Sequence, residues 1–232
     1  ATLEFLLTNH PLDCPVCDKG GECELQDLAF RYGPASSRFG EFKLHAPEKR
    51  WSRAVFYDAP RCILCYRCVR ICREGMGVGA LGIVGRGAVS EIAPNRGERL
   101  ECDECGMCID ICPVGALTSA AYRYRTRPWE MKHVSTVCAH CSNGCAVTLG
   151  VRDNRIIRAN NRDRSGVNGE FLCVKGRFAF DFPTHPERLR SPLKKAGGGF
   201  TEIPWAEALA AVAEKFAEVK ARGGVFGVVG ST

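Results

Sequence analysis

The spacing of the cysteines constrains this chain more than any other feature. Its 15 Cys fall in four groups: 14, 17 and 23; 62, 65, 68 and 72; 102, 105, 108 and 112; 138, 141, 145 and 173. The second group reads C-x2-C-x2-C-x3-C, and the third repeats that spacing and ends in Cys112-Pro113. At 45% hydrophobic and 25% charged residues the chain has the composition of a globular protein, which excludes disorder and collagen-like structure. No stretch nears the roughly 18 apolar residues of a membrane span, and the start, ATLEFLLTNH, lacks the basic and apolar regions of a signal peptide. A cytoplasmic location follows as an expectation. Thiols stay reduced there, so the cysteines are expected to bind metal or do redox chemistry rather than form disulfides. The start at Ala1, a candidate ligand already at His10 and the closing apolar run VFGVVGST predict an internal fragment.

A cubane 4Fe-4S cluster needs four soft thiolates at tetrahedral corners, and one short loop supplies three of them at i, i+3 and i+6. In two-cluster ferredoxins the fourth crosses over from the other run. The same crossing here gives one site of Cys62, Cys65, Cys68 and Cys112, and another of Cys72, Cys102, Cys105 and Cys108. Gly106 and the Pro113-Val114-Gly115 turn suit a tight wrap; Cys72 departs from the run in being followed by Arg73 rather than Pro.

The first group has only three Cys, but His10 precedes it as H-x3-C-x2-C-x5-C and supplies a fourth ligand with Cys14, Cys17 and Cys23. Imidazole replaces thiolate on iron in Rieske centres as well, although those are two-iron clusters with two His. A lone His on the Leu3, Leu6, Leu7 segment would ordinarily read as a helix-end residue; the missing ligand reverses that preference. Gly20 and Gly21 would let backbone amides approach the cluster. The fourth group joins Cys138, Cys141 and Cys145 to Cys173 through a predicted hairpin, with Val147, Leu149 and Val151 alternating, Asp153-Asn154 turning, and Arg155 to Ala159 returning.

Fifteen Cys and His10 make sixteen ligands, four quartets with none spare. Four oxidised cores at about +2 each against the thiolates bring the chain's formal charge of +6 to about −1, so the basic excess reads as compensation rather than a nucleic-acid footprint. Zinc is the competing metal, but zinc modules use paired knuckles, whereas these runs crowd thiolates into one loop. His45, His133, His140 and His185 read as surface or hydrogen-bonding residues.

Along the chain, residues 1–45 form the one-His, three-Cys module, with helices expected at Leu3–Thr8 and Glu22–Arg31, the second closing at Tyr32-Gly33-Pro34. A tandem cluster domain follows at 52–122 with a Gly-rich insertion at 75–100, then a hairpin-containing cluster module at 134–183. At 192–232 an α/β pattern begins: Trp205, Leu209, Val212, Phe216 and Val219 recur at helical spacing, and Gly223-Gly224 ends the helix before an apolar run at Val225–Val229.

HPLDCPVCDKGGECELQD, RCILCYRC, DICPVGALTS, RPWEM and CVKGRF resemble the large iron-sulfur (G-type) subunit of bacterial NADH:quinone oxidoreductase, over nearly the whole chain. The resemblance implies an α+β architecture: consecutive iron-sulfur modules, with a ferredoxin-like two-cluster domain in the middle, and then the start of an α/β domain like that of molybdopterin oxidoreductases. It implies an electron relay from a flavin- and NADH-binding subunit toward quinone, with other iron-sulfur subunits as partners and the membrane arm as an indirect one. The location implied is the cytoplasmic face of the inner membrane. The family's two-iron (2Fe-2S) domain would precede this segment, and no nucleophile or general base is expected. Many members keep only Cys62, Cys65, Cys68 and Cys112 of the tandem region. The extra Cys72, Cys102, Cys105, Cys108 set is similar to that of NAD-linked molybdenum formate dehydrogenases and iron hydrogenases. Lys175 matches the lysine that molybdopterin enzymes place between cluster and pterin. An electron-input region of a formate dehydrogenase or hydrogenase-type complex is therefore the alternative, and a zinc-stabilised binding module a remote one.

Overall fold

The computed structural model describes residues 1–161, 163–225 and 227, and the chain divides into two units, Ala1–Phe180 and Asp181–Thr232. Small helices and small antiparallel sheets make up both, in keeping with the α+β expectation. Among the described residues no helix is long and apolar enough to cross a membrane.

Unit 1 opens with α1 (Thr2–Leu7) and α2 (Glu24–Tyr32), each within two residues of the expected span. Cys23 caps α2, its Sγ accepting the Gln26 N–H at 3.4 Å. The helix stops at Gly33, which is extended (φ −80°, ψ 155°) because the following Pro34 disfavours helical backbone at the residue before it. Leu25 and the inner faces of Leu3, Leu6 and Leu7 pack on the main core.

That core lies over a three-stranded sheet, β1 (Lys49–Arg50), β2 (Val55–Tyr57) and β5 (Leu117–Ser119), in the order β1-β2-β5. Alternation along β2 buries Val55 and Tyr57, and Trp51 stacks on Tyr57 with ring centroids 4.3 Å apart. Both cysteine runs lie in the chain between β2 and β5. The first leads into α3 (Arg67–Arg70) and the second into α4 (Met107–Ile111).

The departure after Cys72 has a structural reason. From α3 the chain continues into a π turn, Ile71–Gly75, closed by the Met76 N–H on the Ile71 carbonyl at 2.9 Å. A proline in that turn would disrupt it, whereas Pro113 ends α4. The Gly-rich insertion is a second hairpin, β3 (Leu81–Val84) with β4 (Glu91–Pro94), which contributes Leu81 and Ile92 to the core.

The last part of unit 1 is a meander, β6 (Lys132–Val137), β7 (Ala146–Arg152) and β8 (Arg155–Asn160), followed by α5 (Val174–Phe178). The expected hairpin is β7-β8, turning through Asp153 and Asn154 at φ 49° and 58°. Strand β6 was not anticipated; KHVSTV is exposed along its length and carries no strong alternation.

In unit 2, β9 (Leu193–Ala196) and β10 (Gly199–Glu202) form a hairpin whose two-residue turn, Gly197-Gly198, has φ 56° and 87°. Helix α6 (Trp205–Ala221) carries the apolar residues at the expected spacing, and all of them are at least partly exposed. Gly223 follows the helix end at φ 66°. The apolar run read at Val225–Val229 lies for the most part outside the described residues.

Candidate metal centres

The two cysteine runs fold as the same loop twice. In Cys62–Cys68 the left-handed residues are Leu64 (φ 51°) and Tyr66 (φ 59°); in Cys102–Cys108 they are Glu104 (φ 49°) and Gly106 (φ 73°), at matching positions. The Leu64 N–H donates to Cys62 Sγ and the Glu104 N–H to Cys102 Sγ, both at 3.4 Å. Left-handed backbone costs about 1–2 kcal/mol at a non-glycine residue, and Leu64, Tyr66 and Glu104 all bear it.

Electrostatics show which thiols are neighbours. Burial, then the charges of Cys112, Cys62 and Cys65, push the Cys68 thiol up to about 12. Burial and then Cys105, Cys68, Cys102 and Cys72 raise Cys108 well above its ordinary value. Cys68 thus feels the charges of Cys112, Cys62 and Cys65, and Cys108 those of Cys105, Cys102 and Cys72 as well as that of Cys68 from the other run. Neighbouring thiolates repel one another unless a cationic core binds them, and its binding then releases protons. Among the described residues no three His, Cys, Asp or Glu side chains are gathered as for a single metal ion.

His10 is buried, and its Nδ1 has no hydrogen-bond partner. Burial, then the charge of Arg61, lowers its pKa, which keeps the imidazole neutral and able to ligate. A cleft of about 680 Å³ is lined by His10, Cys14 and Cys23 together with Leu7, Leu12 and Leu25. Burial raises the Cys23 thiol against the N–H groups of Gln26 and Leu25, with the charges of Cys17 and Cys14 adding to the rise, and burial raises Cys17, with a smaller contribution from Cys14. An unpartnered ring nitrogen beside neighbouring thiols fits a cluster site. Gly20 is required by the chain itself, because a Cβ there would lie 2.7 Å from the Cys14 carbonyl oxygen.

In the fourth group, a Cβ on Gly176 would lie 3.6 Å from Cys138 Sγ and 4.0 Å from Cys173 Sγ, so these two sulfurs face the same glycine. The Gly176 N–H donates to Cys173 Sγ at 3.5 Å, Asn143 Nδ2 donates to Cys145 Sγ at 2.8 Å, and the Cys138 N–H meets the Cys145 carbonyl at 2.8 Å. Cys141 is exposed. Lys175 is exposed on α5; His45, His133 and His185 are exposed, and His140 is half-buried.

Several further residues support these sites, among them Gly115 of the expected tight turn and others, such as Tyr57, Arg61 and Arg158, that carry no local signal. The buried Tyr57 hydroxyl hydrogen-bonds to Cys62, which favours the thiolate, while burial and Cys62 keep the phenol protonated. Arg61, next to Cys62, grips Asp13, next to Cys14, through two bonds of 2.6 and 2.7 Å. The Glu24 N–H, next to Cys23, donates to the Pro113 carbonyl, next to Cys112, at 3.2 Å. A Cβ on Gly115 would fall on Cys17 Sγ. Arg158 forms a bidentate pair with Glu22 at 2.8 and 3.0 Å, both side chains largely buried. Residues next to these cysteines thus hold the modules together. Contacts between residues 136 positions apart leave no trace in a local sequence pattern.

Three stretches of the chain match known families. Residues 1–38 match the NADH-ubiquinone oxidoreductase-G iron-sulfur binding region, 53–118 the ferredoxin-like domain of NADH-quinone oxidoreductase subunit 3, and 131–185 the molybdopterin oxidoreductase Fe4S4 domain. Over 227 residues the chain is 44% identical to the second G-type subunit of NADH-quinone oxidoreductase from Rhizobium meliloti, covering 96% of this chain and 27% of that protein. It is 41% identical over 225 residues to the G-type subunit of NADH-quinone oxidoreductase from Streptomyces coelicolor, covering 96% and 27%. For the corresponding G-type subunit of Rickettsia felis the figures are 39% over 218 residues, covering 94% and 32%. A solved NAD+-reducing [NiFe]-hydrogenase chain in the H2-reduced state is 34% identical with a TM-score of 0.49, over 53% of this chain and 54% of that one. The chain spans about a quarter to a third of the length of the curated relatives it matches. With 4Fe-4S binding regions in series and this identity along nearly its whole length, the chain belongs to the family of NADH-quinone oxidoreductase G-type subunits.

Proposed function

We propose that this chain holds four 4Fe-4S clusters and relays electrons within an NADH:quinone oxidoreductase. The ligand sets are His10, Cys14, Cys17 and Cys23; Cys62, Cys65, Cys68 and Cys112; Cys72, Cys102, Cys105 and Cys108; and Cys138, Cys141, Cys145 and Cys173. The observation that carries this reading is the twice-used strained loop around neighbouring thiols, together with the unpartnered Nδ1 of His10. Each cluster, when bound, supplies one-electron exchange without bond rearrangement. The protein's share is to hold and tune. Backbone N–H groups and Tyr57 donate to the sulfurs, apolar residues around Trp51 and Val114 exclude water, and the Asp13–Arg61 and Glu24–Pro113 contacts fix the spacing between sites.

The partners proposed are the flavin- and NADH-binding subunit and the other iron-sulfur subunits, with the assembly peripheral on the cytoplasmic face of the inner membrane. A 2Fe-2S domain preceding this segment is part of the same reading. The extra quartet at Cys72 and Cys102–Cys108, with Lys175 after Cys173, favours one second reading, the electron-input region of a molybdenum formate dehydrogenase or hydrogenase-type complex that binds molybdopterin. Replacing Cys62 with Ser is expected to remove one reduced-state EPR signal from the loaded protein; retention of every signal contradicts the assignment. Molybdenum analysis of the full-length protein separates the two readings, stoichiometric metal supporting the second.

A further inference from the structure

The Gly176-Arg177 step of α5 touches two cysteine groups at once. Gly176 abuts the sulfurs of Cys138 and Cys173. The next side chain, Arg177, is only 4% exposed and reaches into the second cysteine loop: Nε donates to the Cys105 carbonyl at 2.6 Å, Nη1 to Asp110 at 2.5 Å, and Nη2 meets Met107 Sδ at 3.1 Å. Gly106 makes room for it, since a Cβ there would fall on Arg177 Cδ and lie 2.8 Å from Phe178 Cζ. At the other end the Arg177 N–H is bonded to the Cys173 carbonyl at 3.0 Å. Two hydrogen bonds, one at the Arg177 backbone and one at its Nε, therefore link the fourth group to the Cys105 backbone through a single residue.

We propose that the Gly176-Arg177 step is the electron-exchange contact between the fourth cysteine group and the Cys102–Cys108 loop, with Arg177 the positioning residue. This rests on the ligand sets proposed above and extends them: in this chain the fourth cluster is wired to the tandem pair rather than isolated. One electron passes between the two clusters, the donor being oxidised and the acceptor reduced by one unit, with no proton or bond transferred. The guanidinium also offsets the Asp110 carboxylate beside this loop; without it the uncompensated negative charge disfavours the reduced state of the adjoining cluster and lowers its potential.

The test uses the full chain, purified without oxygen and loaded with iron and sulfide. EPR power saturation of the fourth-group signal is compared in the unaltered protein and in Cys102→Ser, Arg177→Met and Arg177→Lys. The expected result is fast relaxation in the unaltered protein, its loss in Cys102→Ser, a clear reduction in Arg177→Met and substantial rescue in Arg177→Lys. The potential of the second-loop cluster is expected to fall in Arg177→Met and to be largely retained in Arg177→Lys, a charge dependence that a purely structural role would not give. Where Arg177→Met fails to assemble, Cys102→Ser decides the coupling and Arg177→Lys against Arg177→Gln decides the charge. Identical relaxation in the unaltered protein and Cys102→Ser, with iron and sulfide complete, overturns this inference and leaves the four-cluster reading standing. Zinc without sulfide overturns both.

Discussion

The loops Cys62–Cys68 and Cys102–Cys108 share a spacing, a pair of left-handed positions and an N–H···Sγ bond, yet they are finished differently. The first is completed from below by Tyr57, a core residue of β2. The second is completed from outside by Arg177, from a module whose cysteines lie at least 30 residues further along the chain. At the second left-handed position the first loop carries Tyr66, partly exposed, and the second carries Gly106, which has no room for a side chain. The shared wrap dictates the backbone; the neighbour dictates which residue may occupy it.

Exchanging the two left-handed residues breaks the comparison most severely. Gly106→Tyr is expected to cost about 3 kcal/mol through overpacking against Arg177 and Phe178. Because Tyr66 shows that the backbone itself accepts Tyr, the damage should appear as undocking of the fourth module, read by protection of α5 in hydrogen exchange.

Next in size, removing Glu22 from its buried pair as Glu22→Gln is expected to destabilise the protein by about 3 kcal/mol, the cost of leaving Arg158 uncompensated. Denaturant unfolding of the loaded protein measures it.

Gly115→Ala is expected to displace Cys17 Sγ and remove the signal of the His10 cluster while both tandem signals persist. Survival of all signals would show that Cys17 is not held against that turn.

Tyr57→Phe sharpens the contrast most finely. It is expected to cost about 1 kcal/mol and to lower the potential of the first-loop cluster alone, since only Cys62 loses a donor. An equal shift in both loops would refute the separate finishing of the two sites.

Much of this was legible in the sequence because it is local. The cysteine spacing marked both loops, and alternation with Asp153-Asn154 marked the β7-β8 hairpin, whose turn residues are indeed left-handed. The β9-β10 hairpin went unread although Gly197-Gly198 signals it. Strand β6 went unread because KHVSTV is exposed and its pairing with β7 supplies the order that its own pattern lacks. The left-handed Leu64, Tyr66 and Glu104 could not be foreseen from propensity, which disfavours them there. Asp13–Arg61, Glu22–Arg158 and Asp110–Arg177 join residues far apart in the chain, and nothing in a single sequence says which arginine meets which acid.

The central claim, four cubane clusters in four quartets, is tested most directly by counting iron, zinc and acid-labile sulfide in protein purified without oxygen. About 16 iron and 16 sulfide per chain is the expected result; stoichiometric zinc with no sulfide would contradict it.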